Sequence, residues 1–246
     1  MDHTFIHTDV PLSPEFPLLP VPSVHHRSRR AARVVFDLET APLPDAVTYM
    51  EPVEAPTTYK DPEKIAAYVA QHTLDRLKKC ALDVDLCQIV VIGLWHEETR
   101  RTIVLTTRHM TEADLLRAFW VQTQGCHLVG FNCLAFDLPV LLRRSLYLDV
   151  PANTLQIDRF RHPDITDLMQ MLSYNGTVRL RSLSFYAKRL NSLIQDVLVG
   201  ADIPQAVADG RWNDIETHVT ADVLKTVFLA TRLGVLSRPV QQGDDA

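Results

Sequence analysis

Apolar runs broken by proline-rich and polar stretches divide this chain into a strand-bearing first half and a mostly helical second half. The first run, Arg33-Val34-Val35-Phe36-Asp37-Leu38-Glu39-Thr40, is β-branched and aromatic and is closed by Pro42 and Pro44, which predicts a short buried strand. Side chains alternate across a strand, so Asp37 and Glu39 share one face. Residues 41–60 form a proline-rich loop. Asp61-Pro62 then supplies an N-cap and a first-turn proline, and Ile65, Tyr68, Val69, His72 and Leu77 keep helical spacing to about Lys79. Residues 88–95 predict a buried strand, 96–100 a polar turn and 102–106 its hairpin partner. Thr111 and Asp114 form a capping pattern before Leu115, Leu116, Phe119 and Trp120, and another short strand is expected over 127–132. Helices are expected over 138–148, 182–190, 203–209 and 213–233, with Gly210 separating the last two. Strand, hairpin, helix, strand is the order of an α/β fold with an antiparallel part followed by a crossover. No fixed-period repeat is present, which excludes a solenoid.

The two ends differ from this middle. Pro11, Pro14, Pro17, Pro20 and Pro22 recur too closely for helix or sheet ladder, and His25, His26, Arg27, Arg29 and Arg30 follow as a basic patch. Residues 1–30 are therefore expected to be a flexible arm, 31–235 one folded domain and 236–246 a polar tail. The 246 residues, 46% of them hydrophobic, suffice for one sizeable core. A formal net charge of -5 argues against wrapping duplex DNA by bulk charge, so if nucleic acid is a partner, contact is expected to be local and metal-assisted. No apolar run is long enough to span a bilayer, and the start lacks the basic-then-apolar order of a signal peptide, so no membrane is expected as a partner. Cys80 and Cys87 share the spacing of Cys126 and Cys133, but the gap is wider than zinc knuckles use. Buried free thiols in a reducing, cytoplasmic setting are expected instead.

Three places carry candidate chemistry. Asp37 and Glu39, side by side at the end of an apolar strand, repel each other and lose hydration, and a divalent cation would offset both costs. Asp137 follows another strand and precedes Leu138-Pro139, at the start of a helix, where an aspartate also serves as a plain N-cap. In the last helix, Ile215, Val219, Val223 and Val227 form an apolar row, and His218 and Asp222 lie four apart on a neighbouring row. Each place alone has an ordinary reading as strand end, cap or surface pair.

Taken together and in order, Phe36-Asp37-Leu38-Glu39-Thr40, Gly130-Phe131-Asn132-Cys133-Leu134-Ala135-Phe136-Asp137-Leu138-Pro139 and His218-Val219-Thr220-Ala221-Asp222-Val223 resemble the motifs of the DEDD superfamily of 3′–5′ exonucleases. Within it the chain looks most like the group related to the exonuclease domain of family B DNA polymerases, over about residues 33–233. Ala81-Leu82, Asp167-Leu168-Met169 and Asp222-Val223-Leu224-Lys225-Thr226 add to the likeness. Two departures stand out. That group has tyrosine four residues before the last aspartate, where this chain has His218; members that use histidine place it five before, where Thr217 stands. Residues 191–209 also replace an expected Gly- and Lys-rich segment.

The resemblance implies a ribonuclease-H-like mixed sheet flanked by helices. It implies hydrolysis with two divalent cations, Mg²⁺ or Mn²⁺, held by Asp37, Glu39, Asp137 and Asp222. Asp37 would bridge both ions, Glu39 and Asp222 would serve the water-side ion, and Asp137 the other. His218 would orient or deprotonate the attacking water, since imidazole has an ordinary pKa of about 6.5. Thr40, Asn132 and Phe136 would hold the terminal nucleotide, against plain roles as strand end, turn former and core. Arg143, Arg144, Arg159, Arg161, Arg179 and Arg181 are candidates to track the backbone, or are solvated surface. The implied substrate is the 3′ end of single-stranded or frayed nucleic acid, DNA ahead of RNA, with 5′-mononucleotides as product. An exoribonuclease and a catalytically silent nucleic-acid-binding module of the same fold are the alternatives.

Overall fold

The computed structural model describes residues 31–157 and 162–238. The proline-rich arm, Arg159, Arg161 and most of the expected tail lie outside the described residues. Strand β1 (Arg33–Pro42) pairs antiparallel with β2 (Cys87–His96), which turns back into β3 (Arg101–Thr106). On its other side β1 runs parallel to β4 (His127–Gly130), and β4 runs parallel to β5 (Ile165–Asp167). The sheet order is β3-β2-β1-β4-β5, so the strand bearing Asp37 and Glu39 is central.

Among the described residues, seven α-helices flank the sheet. They are α1 (Pro62–Lys79), α2 (Glu112–Gln122), α3 (Asp137–Tyr147), α4 (Leu168–Ser173), α5 (Leu183–Arg189), α6 (Ile203–Ala208) and α7 (Trp212–Arg232). The caps form as the sequence leads one to expect. Asp61 accepts from the Glu63 amide at 3.0 Å, and the Thr111 hydroxyl accepts from the Asp114 amide at 3.2 Å. Despite its helical spacing, α1 has no buried residue, and its apolar face is only half covered.

The alternation along β1 divides the core between two layers. Val34, Phe36 and Leu38 pack with Leu115, Phe119, Leu138 and Leu141 of α2 and α3. Val35 packs with Leu168, Val223 and Val227 of α4 and α7, on the opposite face. Asp37 and Glu39 follow the parity of Val35 and so meet α7.

Three elements differ from the sequence reading. β5 and α4 were absent from it: three strand residues and one and a half helical turns are too short for a periodic signal. β1 also continues to Pro42, through a bulge between Glu39 and Thr40 that shifts the register against β2. No helix among the described residues is long and apolar enough to cross a membrane. The four cysteines are free thiols, three of them buried.

Candidate active site

Gly93 explains how α7 reaches the two carboxylates of β1. It lies opposite Asp37 in the β1–β2 ladder, and a Cβ there would stand 2.7 Å from Val223 Cγ2 and 3.2 Å from Val219 Cγ2. Its missing side chain lets the helix lie close on the sheet. Val219 and Val223 bury in that contact, and the row bearing His218 and Asp222 turns toward Asp37 and Glu39.

A turn at the end of β4 delivers Asp137. A Cβ on Gly130 would stand 2.6 Å from that of Cys133, so the glycine allows the chain to double back tightly. Asn132 adopts φ 63°, in the left-handed region that asparagine tolerates. The buried Asp167 carboxylate fixes this turn, accepting from the amides of Asn132 (2.9 Å) and Leu134 (3.0 Å) while it caps α4. Asp137 is then the first residue of α3 and is 6% exposed.

Asp37, Glu39, Asp137, His218 and Asp222 all line one open pocket of about 390 Å³, with Leu38, Phe136, Ser184, Asp196, Leu198, Val199 and Gly200. Ligand atoms of Glu39, His218 and Asp222 lie within 4.8 Å of one another. Nε2 of His218 is 3.3 Å from Glu39 Oε1 and 4.0 Å from Asp222 Oδ2.

Two residues that the sequence reading missed complete the cluster. Lys225 is 2% exposed, and its ammonium donates to Asp222 Oδ1 at 2.7 Å and to Asp196 Oδ1. Asp196 comes from the segment between α5 and α6. Its other oxygen accepts from the Ser184 hydroxyl at 3.3 Å, and its Oδ1 is 3.7 Å from Nδ1 of His218. Lys225 thus holds one oxygen of Asp222 and leaves the other facing His218.

The electrostatics are those of crowded, poorly hydrated carboxylates. Burial, then repulsion from Asp137, Glu39 and Asp222, raises Asp37 well above the usual carboxylate range. Burial, then Asp222, Asp137 and Asp196, does the same to Glu39. Burial pushes Asp137 up to about 7 against backbone hydrogen bonds from its own amide and that of Leu38. Burial also raises Asp222, although Lys225 and His218 oppose it. Hard oxygen donors that resist ionising together suit a divalent cation such as Mg²⁺ or Mn²⁺.

This crowding predicts an unusual pH dependence. A carboxylate raised in the folded state keeps its proton where the unfolded chain has lost it, so stability falls as pH rises toward the folded value. His96 and His127, both lowered by burial, act with the opposite sign, but their effect fades as pH rises past the ordinary imidazole value of 6.5. In chelator, the melting temperature is expected to fall between pH 6.5 and 8, and Mn²⁺ to remove that fall. Calorimetric melts at the two pH values check it, and a melting temperature that holds or rises in chelator would contradict it.

The remaining sequence candidates are distributed unevenly. Phe136 lines the pocket. Thr40 and Asn132 do not: the buried Thr40 hydroxyl donates to the Ala81 carbonyl, and Asn132 forms the turn before α3. Arg143 is paired with Asp85, and Arg144, buried, makes two bonds of 2.8 and 2.7 Å to Glu112. Arg179 and Arg181 are exposed.

Comparison with known proteins agrees with this geometry. Residues 81–244 match the model of a family described as a predicted 3′–5′ exonuclease related to the exonuclease domain of PolB. The matched span includes Asp137, His218 and Asp222 and begins after Asp37 and Glu39. No curated protein matches the chain. Among solved structures, the family B DNA polymerase from the hyperthermophilic archaeon Pyrobaculum calidifontis superposes with a TM-score of 0.59 at 16% identity. The alignment covers 85% of this chain but only 25% of the polymerase, so it speaks to fold alone. That fold is α/β and ribonuclease-H-like, a mixed five-stranded sheet flanked by helices.

Proposed function

Because the chain belongs to the family of predicted 3′–5′ exonucleases related to the exonuclease domain of PolB, we propose that it is a metal-dependent 3′–5′ exonuclease. Its substrate is the 3′ end of single-stranded or frayed DNA, and its product is 5′-mononucleotides. The observation that carries this reading is the convergence of Asp37, Glu39, Asp137, His218 and Asp222 on one pocket from three separate elements. Two Mg²⁺ or Mn²⁺ ions, held by Asp37, Glu39, Asp137 and Asp222, would supply Lewis acidity for water activation and neutralise charge on the departing 3′ oxygen.

The chain's own groups do the rest. His218 presents Nε2 between Glu39 and Asp222, where it can orient a water and take its proton. Lys225 keeps Asp222 aimed at that point. Leu38, Phe136, Leu198 and Val199 give the pocket an apolar side on which a terminal base can lie. None of these groups discriminates a 2′-hydroxyl by its chemistry alone, so matched DNA and RNA oligonucleotides belong in the test.

Lys225 is also the observation that favours a silent binding module, since an internal cation already neutralises part of the cluster. Activity separates the two readings. A 3′-labelled linear oligonucleotide with Mn²⁺ is expected to release labelled 5′-mononucleotide first, while a circular single strand of the same composition persists. Rapid cutting of the circle would make the protein an endonuclease, and no cleavage of either substrate would leave the silent module.

A further inference from the structure

Residues 168–195 contain no aspartate or glutamate, the longest such run in a chain of net charge -5, and carry Arg179, Arg181, Lys188 and Arg189. Many basic side chains elsewhere have their charge met: Arg33, Arg108, Arg117, Arg143, Arg144 and Arg211 each pair with a carboxylate. The four cations of this run are exposed, and among the described residues none makes an ion pair. Their positive charge faces solvent.

The fold puts that charge beside the pocket. Leu183 and Ala187 bury the inner side of α5, leaving Ser184 at the pocket wall, bonded to Asp196. Lys188 follows Ser184 by one helical turn on α5, and Arg181 stands just before the N-cap Ser182, where the chain enters the helix. Arg181 lies 4.9 Å from the centroid of Phe185, a ring that is 39% exposed. A cation stacked on an exposed ring, with a second cation one turn on, matches the phosphate–base alternation of a single strand.

We propose that the outer face of α5 and the residues that lead into it, with Arg181, Phe185 and Lys188 at the centre and Arg179 and Arg189 at the edges, form the track for the single strand leading into the pocket. This rests on the exonuclease reading. The acidic cluster repels phosphates, so the nucleotides upstream of the terminal one need a positive surface, and α5 offers it at the pocket wall. The track holds the backbone through charge and stacks a base on Phe185, without reading sequence.

The test is binding of a fluorescent oligothymidylate in chelator over a range of NaCl, with wild type, Arg181→Glu/Lys188→Glu, Phe185→Ala and, as a remote control, Arg117→Glu. The double charge reversal is expected to weaken binding at least about tenfold and to flatten the log–log salt slope by about 1.4, two phosphate contacts' worth on a single strand. Phe185→Ala is expected to weaken binding about tenfold with the slope unchanged. Hydrolysis of the p-nitrophenyl ester of thymidine 5′-monophosphate, which reaches only the pocket, should keep its kcat in all variants. Wild-type affinity and slope in the double variant would overturn the track, as would equal competition by polyglutamate of matched charge. If wild type neither binds the oligonucleotide nor cleaves the ester, the exonuclease reading itself fails and the track with it.

Discussion

Replacing Asp37 by asparagine is expected to abolish hydrolysis and, at the same time, to make the metal-free protein more stable. Asp37 stands on the central strand, opposite Gly93, with Asp137, Glu39 and Asp222 as its repulsive neighbours. Asparagine keeps the shape and removes the charge whose burial and repulsion the folded state must overcome. Each kcal/mol relieved would raise the melting temperature by about 2–4 °C in a domain of this size. The catalytic effect has the opposite sign. Asp37 would be one of the carboxylates that hold the cations, whose Lewis acidity would contribute several kcal/mol to the transition state. At a factor of ten per about 1.36 kcal/mol, the expected loss is about 10³-fold or more. Melts in chelator and single-turnover cleavage of a 3′-labelled oligonucleotide measure the two effects separately. A variant that is inactive and also less stable would point to a structural role for Asp37, and one that stays active would remove it from the site.

The legible part of this molecule is the part written in local spacing. Alternation alone puts Asp37 and Glu39 on one face of β1, and the four-residue step alone puts His218 beside Asp222. What spacing cannot give is the partner across space. Asp196 sits in a segment with neither helical nor alternating pattern, so nothing local distinguishes it from a solvated aspartate. Lys225 did leave a signal: 218, 222 and 225 follow the helical steps of four and three, so a histidine and an aspartate facing inward carry the lysine with them. A lysine in a helix reads by default as exposed, and here the default fails because two carboxylates receive its charge. Thr40 shows the converse. The resemblance implies a substrate contact for it; in the fold it lies at the bulge where the register shifts, and its hydroxyl donates to Ala81 O. Arg144 read as one of several scattered basic residues because its partner, Glu112, is held on another helix.

His218→Ala is expected to lower turnover by about 10²–10⁴-fold, the usual span for a lost acid–base group. The ring is 4% exposed, which removes the reading of a histidine on a solvated helix face. Its two nitrogens have different surroundings. Nε2 faces Glu39 and Asp222 at the pocket, where a water would be activated. Nδ1 is buried without a hydrogen-bond partner and stands 3.7 Å from Asp196 Oδ1, an oxygen already held by Lys225. A small approach of that carboxylate would place the proton on Nδ1 and leave Nε2 as the acceptor. Alanine would also leave a cavity, so His218→Gln is the companion variant: it keeps polar volume but cannot take a proton near neutral pH. Both variants should lose turnover alike while retaining Mn²⁺ binding by titration calorimetry, because the four carboxylates remain. His218→Tyr, the residue that the resemblance implies for this position, should recover part of the rate by orienting water without accepting its proton. Wild-type rates in both the alanine and the glutamine variants from about pH 6 to 9 would show that no side chain at 218 takes part in the proton transfer.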